Sequence, residues 1–343
     1  MQKELHPGKL LNEKGELNEV GYAKSLVREY NRNHIKAKGF RIKEWDYYII
    51  TDGKRAIALT IADNSYMSLV SASFLDFESP RYKTTSEMKF FSFGKLNLPS
   101  TYESGDCHYD TKRVNMHFIK SADKRILTAE FKKFDGDKTL TAELTLDNFP
   151  KDAMVIATPF AEDKKAFYYN TKINCMRASG YVDIGGERYD FNTTSSLGTL
   201  DWGRGVWTYK NTWYWGSLQT YLDDGRTFGF NIGYGFGDTS AASENMIFVD
   251  GIAHKTERVT FNIPTDNGVD DFMSPWTFTS DDNRIDLVFV PVIDRQDNTD
   301  IKILASIQHQ VFGKFSGKVV LDDGSTLTIS DRLGFAEKVF NKW

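Results

Sequence analysis

The sequence is poor in the residues that make covalent staples, metal centres and membrane spans. Its 343 residues include two cysteines, Cys107 and Cys175, which form no CxxC pair and have no metal-like spacing to histidine. That excludes a disulfide scaffold and predicts two reduced packing thiols in a cytoplasmic protein. The six histidines are scattered without HxH or HExxH, so no metal site and no other cofactor is expected. Apolar runs are only a few residues long, too short for a transmembrane helix. The opening stretch MQKELHPGKLLNEKGEL has no apolar centre of the kind a secretion signal needs. Lys and Arg number 43 against 47 Asp and Glu, a net charge of -4 with no basic stripe, which argues against nucleic acid as a partner. There is no GxxxxGK[ST]. The GYGFG run from Gly233 to Gly237 lacks a following helix and reads as a strand with close backbone approach.

What the chain has instead is alternation. RVNMHFIK sets Val114, Met116 and Phe118 on one face against Asn115 and His117. KTLTAELTLD sets Leu140, Ala142, Leu144 and Leu146 against Thr141, Glu143 and Thr145. Asp-Gly and Gly-Gly dipeptides punctuate these runs at 52–53, 135–136, 185–186, 224–225 and 323–324, each suited to a tight hairpin. One helix is expected, over LNEVGYAKSLVREY, where Val20, Ala23, Val27 and Tyr30 share a helical face. The fold class is therefore all-β, with a short N-terminal helix.

Two stretches match in order. WDYYIITDGKRAIALTIAD, from Trp45, resembles WYWGSLQTYLDDGRTFGFNIG, from Trp213. SGYVDIGGERYDF, from Ser179, resembles SGKVVLDDGSTLTI, from Ser316. An internal duplication follows: an N-terminal extension over 1–39, a first β-barrel domain over 40–192 and a second over 193–343. Barrels of this size can enclose a small ligand, and pockets favour domain junctions.

The junction carries the candidate site. GTLDWGRGVWTYKNTWYWGSLQ, Gly198 to Gln219, holds Trp202, Trp207, Trp213 and Trp215 of the chain's seven tryptophans. As a strand, its second half places Trp213, Trp215 and Gln219 on one face and Tyr214 and Gly216 on the other. Its first half reads as a Gly-interrupted loop, with Trp202, Arg204, Trp207 and Tyr209 as ligand contacts. Asp201 is the candidate catalytic acid. Burial against indole rings would raise its pKa, and a nearby Arg204 would lower it. The competing reading is an Asp201–Arg204 salt bridge that pins the loop. Gln219 is either a satisfied core amide or a ligand orienter.

These residues carry a resemblance. The LDWGRGVW core, the following W-x-W strand and RIKEWDYY at 41–48 resemble a bacterial and fungal family known as a domain of unknown function. More distantly, the chain is similar to the superfamily of carotenoid hydratase (hydroxyneurosporene synthase), AttH and tocopherol cyclase-like proteins. The positions matching that superfamily's motif are Asp201, Gly203, Trp213, Trp215, Gln219, Asp224, Gly225 and Arg226. The superfamily's histidine beside the aspartate is absent, and Trp202 stands in that region. The resemblance implies tandem lipocalin-like antiparallel barrels and a bulky apolar substrate met by acid-triggered hydration, isomerisation or cyclisation. The expectation is a hydrophobic or aromatic small molecule bound near the domain junction. A carrier without turnover and a carbohydrate-binding protein are the alternatives. The absence of a well-defined carboxylate pair weighs against glycoside chemistry.

Overall fold

A computed structural model describes residues 2–300 and 305–342. Among them there is no α-helix, only two single-turn 3-10 segments, Arg32–His34 and Gly39–Arg41. The expected N-terminal helix is absent. Its residues run extended, and β1 (Gly21–Ala23) pairs antiparallel with Met154–Phe160 of the first sheet. Tyr22 and Ala23 are buried by that docking, and Tyr30 is buried against Glu44 and Trp202, so tertiary packing overrides a helical period interrupted by Gly21.

The first sheet has 13 strands. After β1 come β2 (Ile42–Thr51), β3 (Arg55–Asp63), β4 (Met67–Asp76), β5 (Arg81–Phe90), β6 (Cys107–Asp110) and β7 (Val114–Lys120). Then follow β8 (Lys124–Asp135), β9 (Lys138–Asp147), β10 (Met154–Phe160), β11 (Asp163–Ile184), β12 (Glu187–Phe191) and β13 (Leu197–Val206). The main path is β5-β4-β3-β2-β13-β11-β9-β8-β7-β6. The second sheet has nine strands: β14 (Lys210–Tyr221), β15 (Thr227–Tyr234), β16 (Met246–Val249), β17 (Ile252–Lys255), β18 (Val259–Asn262), β19 (Trp276–Ser280), β20 (Ile285–Asp300), β21 (Ala305–Val320) and β22 (Thr326–Lys342). Its path is β17-β16-β15-β14-β22-β21-β20-β19-β18.

Each half thus begins with a four-strand meander, and its last long strand returns to pair with its first. The matched turns sit alike: Gly53 and Gly225 both lie at positive φ (83° and 87°) between the first two strands of their sheets. The matched Ser-Gly pairs also coincide. Gly180 has φ 128° and a Cβ there would lie 2.0 Å from the Glu143 carbonyl; Gly317 has φ 142° and a Cβ would lie 2.2 Å from the Asp286 carbonyl. Both are places where only glycine lets the neighbouring strand approach.

The sheets are strongly curled half-barrels rather than closed barrels. In the first, the edges meet through side chains: Thr85 Oγ1 donates to the Phe134 carbonyl at 2.6 Å, and the Tyr109 hydroxyl to Glu87 at 2.8 Å. The chain changes sheet at residues 207–209. β13, placed with the second domain from sequence, is a central strand of the first sheet.

Alternation builds three layers of core. Tyr48, Met116, Phe118, Leu144 and Leu146 fill the first half-barrel, and Phe230, Trp276, Phe278, Phe289 and Phe315 fill the second. The opposite faces of β2, β13, β11, β14 and β22 pack the two halves back to back. The N-terminal segment straps them together: the Lys3 amide donates to the Ala241 carbonyl at 2.9 Å, and Lys24 Nζ to the Ala253 carbonyl at 2.6 Å.

Candidate functional site

The segment expected as a loop, Leu197–Val206, is a fully buried strand. Its glycines serve packing rather than turning: a Cβ on Gly203 would lie 2.0 Å from the Trp45 ring. On a strand, positions three apart face opposite ways. Asp201 and Arg204 therefore form no pair, and each has found other partners.

Arg204 and Trp202 point into the first half-barrel. Arg204 Nη2 donates to Asp46 Oδ1 at 2.9 Å, and Nη1 to the carbonyls of Trp45 (2.7 Å) and Gly203 (2.8 Å). Its guanidinium lies 4.3 Å over the Trp202 ring. Lys120 Nζ holds the other Asp46 oxygen at 2.9 Å. Burial pushes the Asp46 carboxyl up, but Lys120 and Arg204 outweigh it and hold it below its ordinary value. The charges of Asp46, Lys120 and Arg204 are paired throughout and read as structural, whereas Trp202 Nε1 is buried without a hydrogen-bond partner.

Asp201 points the other way, into the junction between the sheets. Lys172 Nζ lies 2.9 Å from its Oδ1, and Asn170 Nδ2 donates to the same oxygen at 2.7 Å. The Lys172 ammonium also sits 3.8 Å over the Trp215 ring, a close cation–π contact. Trp213 and Trp215 share this face with Gln219, as expected from their spacing. Trp215 Nε1 donates to Asn231 at 2.7 Å, and Trp213 Nε1 to Glu337 at 2.9 Å. Gln219 accepts from Thr199 and donates to the Ile49 carbonyl. Trp207 closes one end of the junction, with ring centroids 5.2 Å from Trp213 and 5.8 Å from Tyr168. Tyr209 lies outside, 38 % exposed, under the Arg41 guanidinium.

Two carboxyls that sequence reasoning did not single out complete the junction. Glu337 accepts from Trp213 and from Gln310 Nε2, the latter at 2.9 Å. Burial raises its carboxyl to about 7, against the donors and the Lys172 charge. Glu244 is likewise raised to about 7 by burial, with Lys172 opposing and Asp201 reinforcing the shift. Neither Glu244 oxygen makes a well-formed hydrogen bond within the protein, although the Tyr168 hydroxyl faces the carboxyl. The hydroxyls of Tyr168 and Tyr47 and the side-chain oxygens of Asn170 and Gln310 are also buried without a well-formed hydrogen bond here. Burial carries the Tyr168 phenol well above its ordinary value, with Glu244 adding to the shift.

A sequence signal for Glu337 exists. Leu333-Gly334-x-x-Glu337 repeats Leu197-Gly198-x-x-Asp201. The registers agree: Asp201 sits opposite Lys172 and Tyr47, and Glu337 opposite Gln310 and Trp215. Each half thus offers the junction an acid, a polar partner and an aromatic ring, with Tyr47 and Trp215 in edge contact at 6.0 Å. Glu244 has no counterpart in this scheme; it comes from the segment between β15 and β16.

Two spaces adjoin the site. A small cleft of ≈ 10 Å³ between Ile49, Gln219, Phe312 and Phe335 has room for about one water. A groove of ≈ 290 Å³ opens at the end of the junction, lined by Phe160, Lys210, Thr212, Gly235 and Gly237. Phe236, between those two glycines, is buried and stacks on Tyr168 at 4.7 Å. Trp202, Arg204 and Trp207 line neither space. Among the described residues no group of His, Cys, Asp and Glu could hold a metal ion.

The family description of a domain of unknown function, DUF2804, matches residues 2–343. The chain belongs to the DUF2804 family. Among solved structures, this DUF2804 chain is similar to AttH of Nitrosomonas europaea, with a TM-score of 0.54 at 13% identity over 90% of this chain and 96% of that one. That likeness shows an AttH-like fold. Kievitone hydratase of Nectria haematococca aligns over 93% of this chain and 97% of its own, with a TM-score of 0.43 and 9% identity. No curated protein matches the sequence.

Proposed function

We propose that this protein binds a bulky, largely apolar molecule bearing a polar group at the junction of the half-barrels and moves a proton on it. Glu244 and Glu337 act as acid and base. The observation that carries this reading is a cluster of buried polar atoms without a well-formed hydrogen bond: both Glu244 oxygens with the Tyr168 hydroxyl beside them, the Tyr47 hydroxyl beside Gln310, Asn170 Oδ1 and Gln310 Oε1. Buried polar groups are nearly always satisfied, and a concentration of exceptions marks partners that come from water or a ligand. A plain interface between two sheets would be more stable with apolar residues in these places.

The chemistry follows from the two raised carboxyls. A carboxyl titrating near 7 holds a proton for transfer at neutral pH, and its neighbour accepts one from water or substrate. A proton delivered to an alkene leaves positive charge on the substrate. The faces of Trp215 and Phe236, which already receive the Lys172 ammonium at 3.8 and 5.9 Å, stabilise such a charge. Hydration and double-bond isomerisation are the reaction classes that fit. Asp201, paired with Lys172, positions that cation. The groove is the entrance, with Phe236 between it and the carboxyls.

The test uses N-phenyl-1-naphthylamine, a neutral aromatic dye. Titration monitored by dye fluorescence should show one saturable site, opened further by Phe236→Ala. Affinity should change as pH crosses about 7, and Glu244→Gln should flatten that change. No saturable binding would reject the site, and a pH profile untouched by Glu244→Gln would reject the proton role.

A further inference from the structure

One end of the molecule is unlike the rest of its surface. The starts of β2 and β4 and the ends of β3, β5 and β13 lie together there, as Ile42 pairs with Val206, Glu44 with Asp63 and Met67 with Phe90. The turn after β5 projects Phe90, Phe91 and Phe93, which are 71, 66 and 51 % exposed. Their rings form a wedge, with successive centroids 6.2 Å apart. Phe91 and Phe93 hold φ of 64° and 45°, a left-handed backbone that disfavours bulky residues. Phe40 and Tyr209 add exposed rings at the same end, joined by Arg41, whose guanidinium lies 5.0 and 5.4 Å over them. The backbone ties these segments: the Phe91 amide donates to the Tyr66 carbonyl, and Lys43 reaches both the Phe40 and Asn64 carbonyls.

Charge follows the aromatics. The loops of this end, 38–41, 89–95, 161–165, 207–210 and 235–241, carry Lys38, Arg41, Lys89, Lys95, Lys164, Lys165 and Lys210. Their acids are Glu162, Asp163 and Asp238, and Glu87 lies 4.0 Å from Lys89 on the same strand. A basic end on a chain of net charge -4 is a local feature that the composition conceals.

We infer that this end docks on an anionic lipid bilayer. The phenylalanine wedge enters the headgroup region, and the lysines and Arg41 meet the acidic headgroups. Exposed aromatic clusters of this kind mark interaction surfaces. A convex wedge needs no complementary pocket in a fluid surface, whereas a protein partner would have to supply one. Phenylalanine with flanking lysine is the composition that binds anionic interfaces by combined apolar and electrostatic contact. The groove beside Lys210 opens at this end, so an apolar molecule dissolved in the bilayer reaches it without crossing water. That role of the groove rests on the ligand proposed above, whereas the docking surface itself stands on surface residues and is independent of the buried carboxyls.

Sedimentation with large unilamellar vesicles tests it. The full chain should bind vesicles of phosphatidylcholine mixed with phosphatidylserine and leave pure phosphatidylcholine vesicles in the pellet alone. Raising the salt should release it, because the attraction is screened. The double change Phe91→Asn and Phe93→Asn should weaken binding by about tenfold or more. Asparagine tolerates positive φ, so this variant should melt no lower than the parent. Lys89→Glu with Lys95→Glu should abolish the preference for anionic vesicles. Equal or absent binding to the two vesicle types, or anionic binding untouched by either variant, overturns the inference. So does light scattering that shows a dimer which the asparagine variant converts to monomer, since a second copy would then cover the wedge.

Discussion

Asp201 and Glu337 hold the same place in the two half-barrels and face the same junction. Each lies three residues beyond a Leu-Gly pair, on the strand that returns to the first strand of its sheet. Their partners differ in charge: Asp201 has the Lys172 ammonium, Glu337 the neutral amide of Gln310. The two half-barrels thus bring two acids back to back, and Asp201 is the one paired directly with a cation. Glu337, with only neutral direct donors, has its carboxyl raised by burial to about 7.

The first prediction separates the two charge networks. Lys172→Met removes the cation among Asp201, Glu244 and Glu337, and breaking such a buried pair costs about 3–5 kcal/mol. Asp201→Asn should also destabilise, and the double mutant should show coupling of roughly 0.5–3 kcal/mol. Arg204→Met should cost about as much through Asp46. It shares no partner with Asp201, so the Asp201→Asn and Arg204→Met effects should add to within ~0.5 kcal/mol. Denaturant unfolding of the single and double mutants checks this. Strong coupling between Asp201 and Arg204 would contradict their placement on opposite faces.

The second prediction concerns pH. Glu244 and Glu337 have an ordinary value of 4.5 and are raised to about 7 in the fold. Between those values the folded state binds more protons than the unfolded one, so stability falls as pH rises. The stabilisation is full below about 4.5 and lost by the time pH passes about 7, on the order of 3 kcal/mol for each group. Lys43 and Lys255, lowered from 10.5 to about 7 by burial, act above that window and with the opposite sign. Unfolding measured at pH 5 and pH 7 isolates the carboxyls. The parent should lose stability between them, and Glu244→Gln should lose less.

Much of the fold was legible because period-two alternation is a strong signal in β9 and similar strands, and Asp-Gly turns mark its hairpins. The shared face of Trp213, Trp215 and Gln219 was legible for the same reason. The strand Leu197–Val206 was not, because glycine suits both a turn and a strand crowded by Trp45, and spacing alone cannot tell them apart. That error joined Asp201 to Arg204, whereas alternation sends them apart. The helix expected over 17–30 failed because three residues docked onto β10 as a strand. Glu244 was out of reach altogether: it comes from an irregular connection, and its burial depends on contacts remote in sequence.

The third prediction concerns the thiols. Cys107 and Cys175 are both free and buried. Burial pushes the Cys175 thiol up to about 12 and carries Cys107 well above its usual range, with Asp46 adding to the latter shift. A thiol held protonated is a poor nucleophile. Neither should react with 5,5′-dithiobis(2-nitrobenzoate) in native protein, and both should react on unfolding. Rapid modification of either under native conditions would show that its half-barrel opens locally.

The fourth prediction tests the duplication at its most specific point. Gly180 and Gly317 each lie where a Cβ would meet a carbonyl of the neighbouring strand, at 2.0 and 2.2 Å, and where φ disfavours any side chain. The obstructing atoms belong to backbone, so no rotamer change relieves the contact. Alanine at either position must shift a strand, and such changes cost roughly 1–3 kcal/mol or more. The contrast lies in the hairpin glycines Gly53 and Gly225, where a Cβ meets nothing within 4 Å and only the positive φ resists. There alanine should cost about 1 kcal/mol. Thermal unfolding of the four single variants should therefore fall into two pairs, Gly180 with Gly317 and Gly53 with Gly225, each pair drawing one member from each half. A split by half-barrel instead, with both first-half variants severe and both second-half variants mild, would mean that the matched glycines do different work in the two sheets.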